Sequence, residues 1–425
     1  MKSAIFALKN LKNDRGVSAV IVGIMMLMFL GFAALAIDFG HLYVVRNELQ
    51  NAADAGALAA ARVLYLEEDG ALLNEDANQS GFDAATENKS EKISVDVNWT
   101  ADNDNEGDVQ RGHWRFSTGD NACPRGFTPN ADIAPPDLQR STEELDADCG
   151  FINAVRVITR RQATPAASFF ARIFGHENFS LSAAAVAYIG FAGTLEPGVA
   201  DQPIAICKES LLDEDGTFTC GVGRMINSGA TDGHQTGGWT NFSQPCETAS
   251  TPTVRPLVCG DGNPNIINLG QGMGTVGGEL QSTYNDLYAC WKNSGMDTDE
   301  DGWPDKPWRL TFPVIECPGN NTSNCSTVVG AVELDIIWIT QTDKNQFNEV
   351  PRKMDNWTCP SGSSGPDCWT GFVDQFELRD VLNNTPAFYE DKTIYFKPNC
   401  SPHIPAGRTG GENFGILAKI PVLVK

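Results

Sequence analysis

The fold is decided by VSAVIVGIMMLMFLGFAALAI, residues 17–37, and by the proline-free stretch that follows it to Leu66. The first part has 21 residues without a charge, and a helix of roughly 20 apolar residues crosses the hydrocarbon core of a bilayer. We therefore predict a transmembrane helix over residues 17–37. At about 1.5 Å per residue, a helix over residues 17–66 is a rod of about 75 Å that is half inside the membrane and half outside it.

The outer half, residues 38–66, is predicted to be an amphipathic helix with a narrow apolar seam. Apolar or small residues recur at spacings of three and four, and polar residues lie between them. The candidate partner-binding residues are the Asp38 carboxylate at the membrane exit and the seam residues Leu42, Val45, Leu49, Ala52, Gly56 and Ala59. Small residues at four-residue spacing allow close backbone approach. Two interpretations stay open: the seam packs on a partner helix, or on this chain's own globular part.

The sequence DFGHLYVVRNELQNAADAGALAAA, residues 38–61, directly after an N-terminal apolar span, resembles the TadE/TadG-like family of Tad (Flp) pilus-assembly proteins. This resemblance implies a bacterial inner-membrane protein with a single span, whose bulk lies outside the cytoplasm and assists pilus assembly. The implied partners are other membrane-anchored pilus-assembly proteins, and self-association into a homo-oligomer stays open.

Charges before the span agree with this orientation. Lys2, Lys9, Lys12 and Arg15 precede it with only Asp14 against them, and basic residues favour the cytoplasmic side. Residues 1–16 are therefore predicted to be cytoplasmic. A cleaved signal peptide is the alternative, because Ala34-Leu35-Ala36 has the small residues of a cleavage site; the length of the apolar run favours a retained anchor.

The net charge and the positions of the cysteines limit the classes of function further. The net charge of −23 argues against nucleic-acid binding, which depends on Lys and Arg that neutralise phosphates. The twelve cysteines all follow the span, from Cys123 onward, so they lie on the side predicted to be oxidising and are expected to form disulfides. A bridge between Cys123 and Cys149 would hold the loop between them.

The predicted fold class is α+β. Residues 67–192 alternate strand patterns with a predicted helix over residues 165–174, where Thr164 and Pro165 resemble a helix start and Gly175 a stop. Residues 195–425 are rich in Cys, Gly and Pro and show no long helical period. They are predicted to form a β-rich, disulfide-stapled domain.

A candidate calcium loop lies in this second domain, at DTDEDGWPD, residues 297–305. Asp297, Asp299, Asp301 and Asp305 occupy positions 1, 3, 5 and 9, with Gly302 at position 6, which follows the pattern of Ca²⁺ loops. Trp308 stands at position 12, where an acidic ligand is usual. An acidic solvated turn is the alternative.

Recognised catalytic motifs are absent from the sequence. We therefore expect a membrane-anchored, non-enzymatic envelope protein that assists Tad/Flp-type pilus assembly through helix–helix association. The alternative is a calcium-dependent surface-binding or adhesive protein, which the calcium loop and an exposed surface of tryptophans would favour.

Overall fold

The longest element is the helix α1 (Asp14–Arg62). A computed structural model of the chain describes residues 14–66, 72–99, 105–116, 123–132, 140–147, 149–211, 225–227, 236–277, 280–319, 322–340, 346–379, 385–389, 391–397, 401–414 and 416–425. No proline occurs between residues 14 and 62, and alanine dominates the C-terminal half, so nothing interrupts the helical hydrogen bonds.

The other elements within the described residues are shorter. The α-helices are α2 (Ala77–Thr86), α3 (Thr142–Ala147), α4 (Thr251–Val254), α5 (Gln281–Lys292) and α6 (Gly365–Gln375). The 3₁₀-helices are Ala171–Phe174, Lys208–Ser210, Arg255–Leu257 and Gln346–Glu349. The strands are β1 (Lys89–Ser90), β2 (Ile93–Ser94), β3 (Val109–Arg115), β4 (Gly126–Pro129), β5 (Ala154–Ala167), β6 (Asn178–Tyr188), β7 (Thr194–Leu195), β8 (Ile204–Cys207), β9 (Met225–Asn227), β10 (Gly237–Thr240), β11 (Ile267–Asn268), β12 (Gly272–Val276), β13 (Trp308–Ile315), β14 (Cys325–Ile339), β15 (Lys353–Met354), β16 (Trp357–Thr358), β17 (Thr393–Phe396), β18 (Ser401–Pro402) and β19 (Val422–Leu423).

The first of two compact units takes its residues from 1–136, 146–188 and 422–425. Its antiparallel sheet has the strand order β19-β6-β5-β3-β4. The C-terminal half of α1 packs against β5 and β6 and against α2. This half of α1 therefore supplies much of the unit's core.

The second unit takes its residues from 137–145 and 189–421. Its main sheet runs β12-β10-β8-β13-β14-β17-β9, and β12 also pairs with β14, so five strands form a closed ring of hydrogen-bonded neighbours. Only the β8–β13 pair among these is parallel. A large apolar core that includes Trp239, Trp291 and Trp338 covers this sheet.

Disulfides staple both units, as predicted. Ten described cysteines form five bridges: Cys123–Cys149, Cys207–Cys317, Cys246–Cys325, Cys259–Cys290 and Cys359–Cys368. Cys220 and Cys400 lie outside the described residues. The α+β class with an N-terminal apolar helix is confirmed.

The predicted helix over residues 165–174 is wrong. Strand β5 continues to Ala167, with Ala166 and Ala167 paired to Phe179 and Asn178. Pro165 is tolerated because it lies in the irregularity between Arg161 and Ala166, where no regular ladder hydrogen bond is needed. Only the single 3₁₀ turn Ala171–Phe174 is helical, and Gly175 ends it at φ +88°.

The two longer helices of the second unit, α5 and α6, were not predicted from the sequence. Each has one apolar face of four or five buried residues, which is too short to give a long helical period. Helix α6 begins at a capping box in which the Ser364 hydroxyl accepts a hydrogen bond from the Asp367 backbone N–H. This Ser-x-x-Asp pattern was the available signal.

Candidate functional site

The N-terminal half of α1 carries the largest exposed apolar surface of the described chain. Every large apolar side chain between Val20 and Ile37 exposes at least half of its surface, up to 71% for Leu27. Within the described residues this is the one helix long and apolar enough to cross a membrane. An exposed apolar cylinder of this length is consistent with a single-pass anchor.

The predicted seam on the C-terminal half of α1 is occupied within the chain. Val45, Leu49 and Ala52 are fully buried in the first unit. At Gly56 an added Cβ would lie 2.8 Å from the Gly81 carbonyl oxygen and 2.9 Å from the Ala85 Cβ, so two helices meet there at backbone distance. Of the two interpretations left open, these residues follow packing on the chain's own globular part.

The ends of the seam are less buried. Leu42 and Ala59 are half-buried, whereas Ala60 and Ala61 are fully buried. A straight α-helix drifts by about 20° per heptad against a strict seven-residue repeat. Position 59, two heptads after Val45, therefore rotates out of the interface and its C-terminal neighbours replace it.

Asp38, the carboxylate at the end of the apolar half, binds a turn of its own chain. Its oxygens accept hydrogen bonds from the backbone N–H groups of Phe169 at 2.8 Å, Phe170 at 3.1 Å and Ala171 at 2.6 Å. The side chain is 6% exposed. A carboxylate with three backbone donors holds the 3₁₀ turn at the tip of the β5–β6 hairpin against α1.

Further along α1, His41, about one helical turn beyond Asp38, and Glu48, about three turns beyond it, fasten a second hairpin to α1. The His41 Nε2 atom lies 2.6 Å from the Glu91 carboxylate. The Glu48 carboxylate accepts hydrogen bonds from the Ser90 hydroxyl and the Glu91 backbone N–H. Glu91 is the first residue of the two-residue turn between β1 and β2, so side chains along α1 position both hairpins.

The hairpin tip was not predicted from the sequence. Phe169, Phe170, Ile173 and Phe174 lie in the turn between β5 and β6, and their side chains are 53%, 36%, 75% and 82% exposed. A helix over residues 165–174 would not bring these side chains together at an exposed turn, so the predicted helix did not indicate this cluster. Its signal in the sequence was four large apolar residues within six, followed directly by Gly175.

Three of the four predicted calcium ligands come together in the second unit. Carboxylate oxygens of Asp297, Asp299 and Asp301 lie within 4.8 Å of one another. The Gly302 backbone N–H donates to Asp297 at 2.9 Å, and Gly302 has φ +89°, which its place in the loop requires. This arrangement has the tight turn of a cation loop.

The fourth predicted ligand, Asp305, has other partners. Its buried carboxylate accepts hydrogen bonds from the Thr298 backbone N–H and hydroxyl and lies 3.1 Å from the Lys353 Nζ. Burial raises the pKa of this carboxyl, but the Thr298 donors and the Lys353 ammonium outweigh burial and lower the pKa to about 2. Lys353 also binds Asp299 at 2.8 Å, so a cation already lies beside the cluster.

The tryptophans contribute to packing. Trp239, Trp291 and Trp338 are buried at 1% exposure or less, and Trp303, Trp308 and Trp357 pack against the same core. None of the described tryptophans is among the exposed large hydrophobic residues. The surface that an adhesive protein would use is therefore not built from them.

A long helix that is apolar and exposed along one half, and packed into an α+β unit along the other, is consistent with a single-span, membrane-tethered protein. Two protein families match this part of the chain. Residues 16–63 match the Flp pilus-assembly TadE/G-like family, and residues 59–187 match the Tad-like Flp pilus-assembly family. No curated protein and no solved structure matches the chain.

The matched segments coincide with structural elements. The first match covers nearly the whole of α1, and the second ends one residue before the end of β6. The similarity to Tad pilus-assembly families therefore covers the anchor helix and most of the first unit, and it supports a role in pilus assembly.

Proposed function

We propose that this protein is a non-enzymatic component of Tad/Flp pilus assembly. Helix α1 anchors it in the bacterial inner membrane through residues 17–37, and the chain from residue 38 onward lies outside the cytoplasm. It acts by helix–helix association with other membrane-anchored assembly proteins, and it can associate with a second copy of itself by the same surface.

A single observation carries this proposal: the segment that matches the TadE/G-like family is α1, whose two halves have different surroundings. The seam of the C-terminal half is not accessible to a partner helix, because its residues from Val45 to Gly56 are buried in the first unit. Only in the apolar half is every large side chain at least half exposed. Partner helices are therefore expected to contact the span and the turn of α1 just beyond it.

The disulfides and the charges support the orientation. All five described bridges lie C-terminal to the span, which agrees with an oxidising compartment on that side. On the other side of the span, Lys2, Lys9, Lys12 and Arg15 face only one acidic residue, Asp14, which is the charge bias of a cytoplasmic flank.

The test is a replacement of residues 17–37 by an unrelated Leu/Ala span of equal length, expressed in a strain that lacks the native gene. We expect the variant to be anchored and folded but to make few or no pili, because an unrelated span keeps the anchor and removes the specific helix surface. Pilus number by electron microscopy and membrane fractionation are the two readouts. Wild-type pilus numbers with the unrelated span would leave α1 as a passive anchor.

A photo-crosslinking amino acid identifies the partner in the same strain. At Phe29, which is 67% exposed within the apolar half, it should capture another membrane protein of the assembly machinery or a second copy of this chain. Phe116, which is 53% exposed in the first unit, is the control position outside the span. Capture at neither position would contradict helix–helix association.

A further inference from the structure

We propose that the tip of the β5–β6 hairpin, residues 168–177, is a second membrane contact. It inserts its aromatic side chains into the lipid leaflet at the C-terminal end of the α1 span. This inference rests on the proposed anchoring by α1 and goes beyond it, because it assigns a lipid-binding role to a separate part of the chain.

The composition and exposure of the tip are the first argument. Ile173 and Phe174 are 75% and 82% exposed, and Phe169 and Phe170 lie beside them. Large apolar side chains that cluster on a surface mark an interaction site. Phenylalanine and other large apolar residues are typical of segments that enter the headgroup and acyl boundary of a membrane.

The height of the tip relative to the span is the second argument. The Asp38 carboxylate, one residue beyond the apolar span, binds the backbone N–H groups of Phe169 and Ala171 at 2.8 Å and 2.6 Å. The tip is thus held at the level where α1 leaves the hydrocarbon. Any membrane crossed by residues 17–37 has its surface at this level, so the exposed rings of the tip meet lipid.

A groove between α1 and the tip is the third argument. It has a volume of about 570 Å³. Apart from Asp38 and His176, its lining is apolar or small. The large side chains come from α1 and from the β5–β6 hairpin, and they include Phe32, Leu35, Phe39, Phe170, Phe174 and Phe179. Because the α1 side of this groove begins inside the span, the groove is continuous with the bilayer. We assign a phospholipid acyl chain as its occupant.

The tip contains two charged residues, Arg172 in its 3₁₀ turn and Glu177 at its base, where the Glu177 carbonyl accepts a hydrogen bond from the Ser168 backbone N–H. The residue in the turn agrees with this depth. Arg172 is exposed in the same 3₁₀ turn as Ile173 and Phe174. An arginine beside inserted aromatic rings can bind a lipid phosphate while its stem stays in the interface.

The experiment uses the full chain in phospholipid vesicles that carry a radiolabelled lipid. The photo-crosslinking amino acid p-benzoylphenylalanine replaces one residue at a time: Phe174 at the tip, Leu30 in the span, and Phe116 as a matched exposed phenylalanine in the same unit. Phe116 contacts Tyr188, which pairs with Ala154 at the far end of β5. Gly56, which packs on Val157, is already about 27 Å along α1 from Asp38, and Phe116 lies beyond that level.

We expect lipid labelling at Phe174 to be comparable with labelling at Leu30, and labelling at Phe116 to stay at background. Labelling at Leu30 with background at Phe174 would overturn the second contact and leave the anchor intact. Background at Leu30 would overturn the proposed anchoring and this inference together. Capture of a second protein chain at Phe174, in place of lipid, would make the tip a protein interface and would also overturn the inference.

Discussion

Asp38 links the apolar and the packed halves of α1 at the scale of a single residue. The sequence predicts its carboxylate at the membrane exit and on a partner-facing surface. The position at the end of the apolar half is observed, but the groups that satisfy the carboxylate are three backbone N–H groups of the same chain. Sequence spacing could not predict these donors, because they lie more than 130 residues away.

Replacing Asp38 by Ala should loosen the hairpin tip. The variant loses charge-assisted hydrogen bonds, so amide hydrogen exchange at Phe169, Phe170 and Ala171 should accelerate by about tenfold or more. Mass spectrometry of the chain in detergent micelles measures this exchange. Asp54→Ala is the control, since Asp54 accepts a side-chain hydrogen bond from Gln50 on the same helix. Equal exchange in wild type and the Asp38 variant would refute the assigned role.

Gly56 is the second residue with a decisive local role. On sequence grounds its lack of a side chain suited a partner helix, but the close approach is made by Gly81 and Ala85 of α2. The close approach at Gly56 follows from the sequence, whereas the identity of the neighbouring helix does not. Small-residue spacing predicts that something packs closely, and it carries no information on which element does so.

Replacing Gly56 by Ala should destabilise the first unit by about 1–3 kcal/mol, because the added Cβ meets backbone and side-chain atoms at 2.8 and 2.9 Å. Gly40→Ala is the matched control on α1, since nothing lies within 4 Å of its added Cβ. That control should be neutral or slightly stabilising. Pulse proteolysis in urea gives the free energy of unfolding; equal values for the two variants would contradict the packing.

At the scale of elements, α1 could be predicted in almost all respects. Its length, its apolar half and the existence of its seam follow from periodicity. The hairpin tip could not be predicted, because Thr164, Pro165 and Gly175 carry the local signals of a helix. In the structure these signals are overridden by the pairing of β5 with Phe179 and Asn178 of β6. Pairing partners are distant in sequence, so local propensity loses to tertiary context at this point.

The acidic loop, residues 297–305, supports a prediction about pH. The folded pKa of Asp305 is depressed to about 2 from its ordinary value of 3.8. Its ionised form therefore stabilises the second unit above about pH 4, and this contribution is lost as the pH falls through about 2. The stability difference between wild type and Asp305→Asn, followed by tryptophan fluorescence in urea, should shrink over that interval. For the exposed Asp374→Asn the difference should stay small throughout.

Calcium binding by the same loop stays a prediction. If Asp297, Asp299 and Asp301 hold Ca²⁺, a hundredfold excess over Kd should stabilise the second unit by about 2.7 kcal/mol. The melting temperature of wild type and of the exposed-site control Asp374→Ala should rise with calcium and fall with chelator. The Asp299→Ala, Asp301→Ala double variant should not respond. A wild type that melts alike in calcium and chelator would leave the loop as a solvated turn.

For the chain as a whole, the fold class could be predicted from the sequence, but the disulfide pairing and the strand order could not. Charge asymmetry, the apolar span and the late cysteines indicated an anchored, disulfide-stapled α+β protein. The pairings Cys207–Cys317 and Cys246–Cys325 bring together segments 110 and 79 residues apart. Connectivity of this kind depends on strand order, which a single sequence does not specify.

The position of strand β19 could not be predicted from the sequence either. Residues 422–425 belong to the first unit, although residues 189–421, which precede them, belong to the second. Val422 and Leu423 pair with Tyr188 and Ala187.

Replacing Val424 by Pro tests this return of the chain. The Val424 backbone N–H donates to the Val186 carbonyl at 2.9 Å, and the Val186 N–H donates to the Lys425 carbonyl at 2.8 Å. Proline removes the first donor and disfavours the extended pairing around it, so amide exchange at Val186 should accelerate. Val422→Ala is the control, because it trims a side chain that is already 42% exposed and keeps every backbone donor. Unchanged protection of Val186 in the proline variant would show that the sheet of the first unit does not depend on β19.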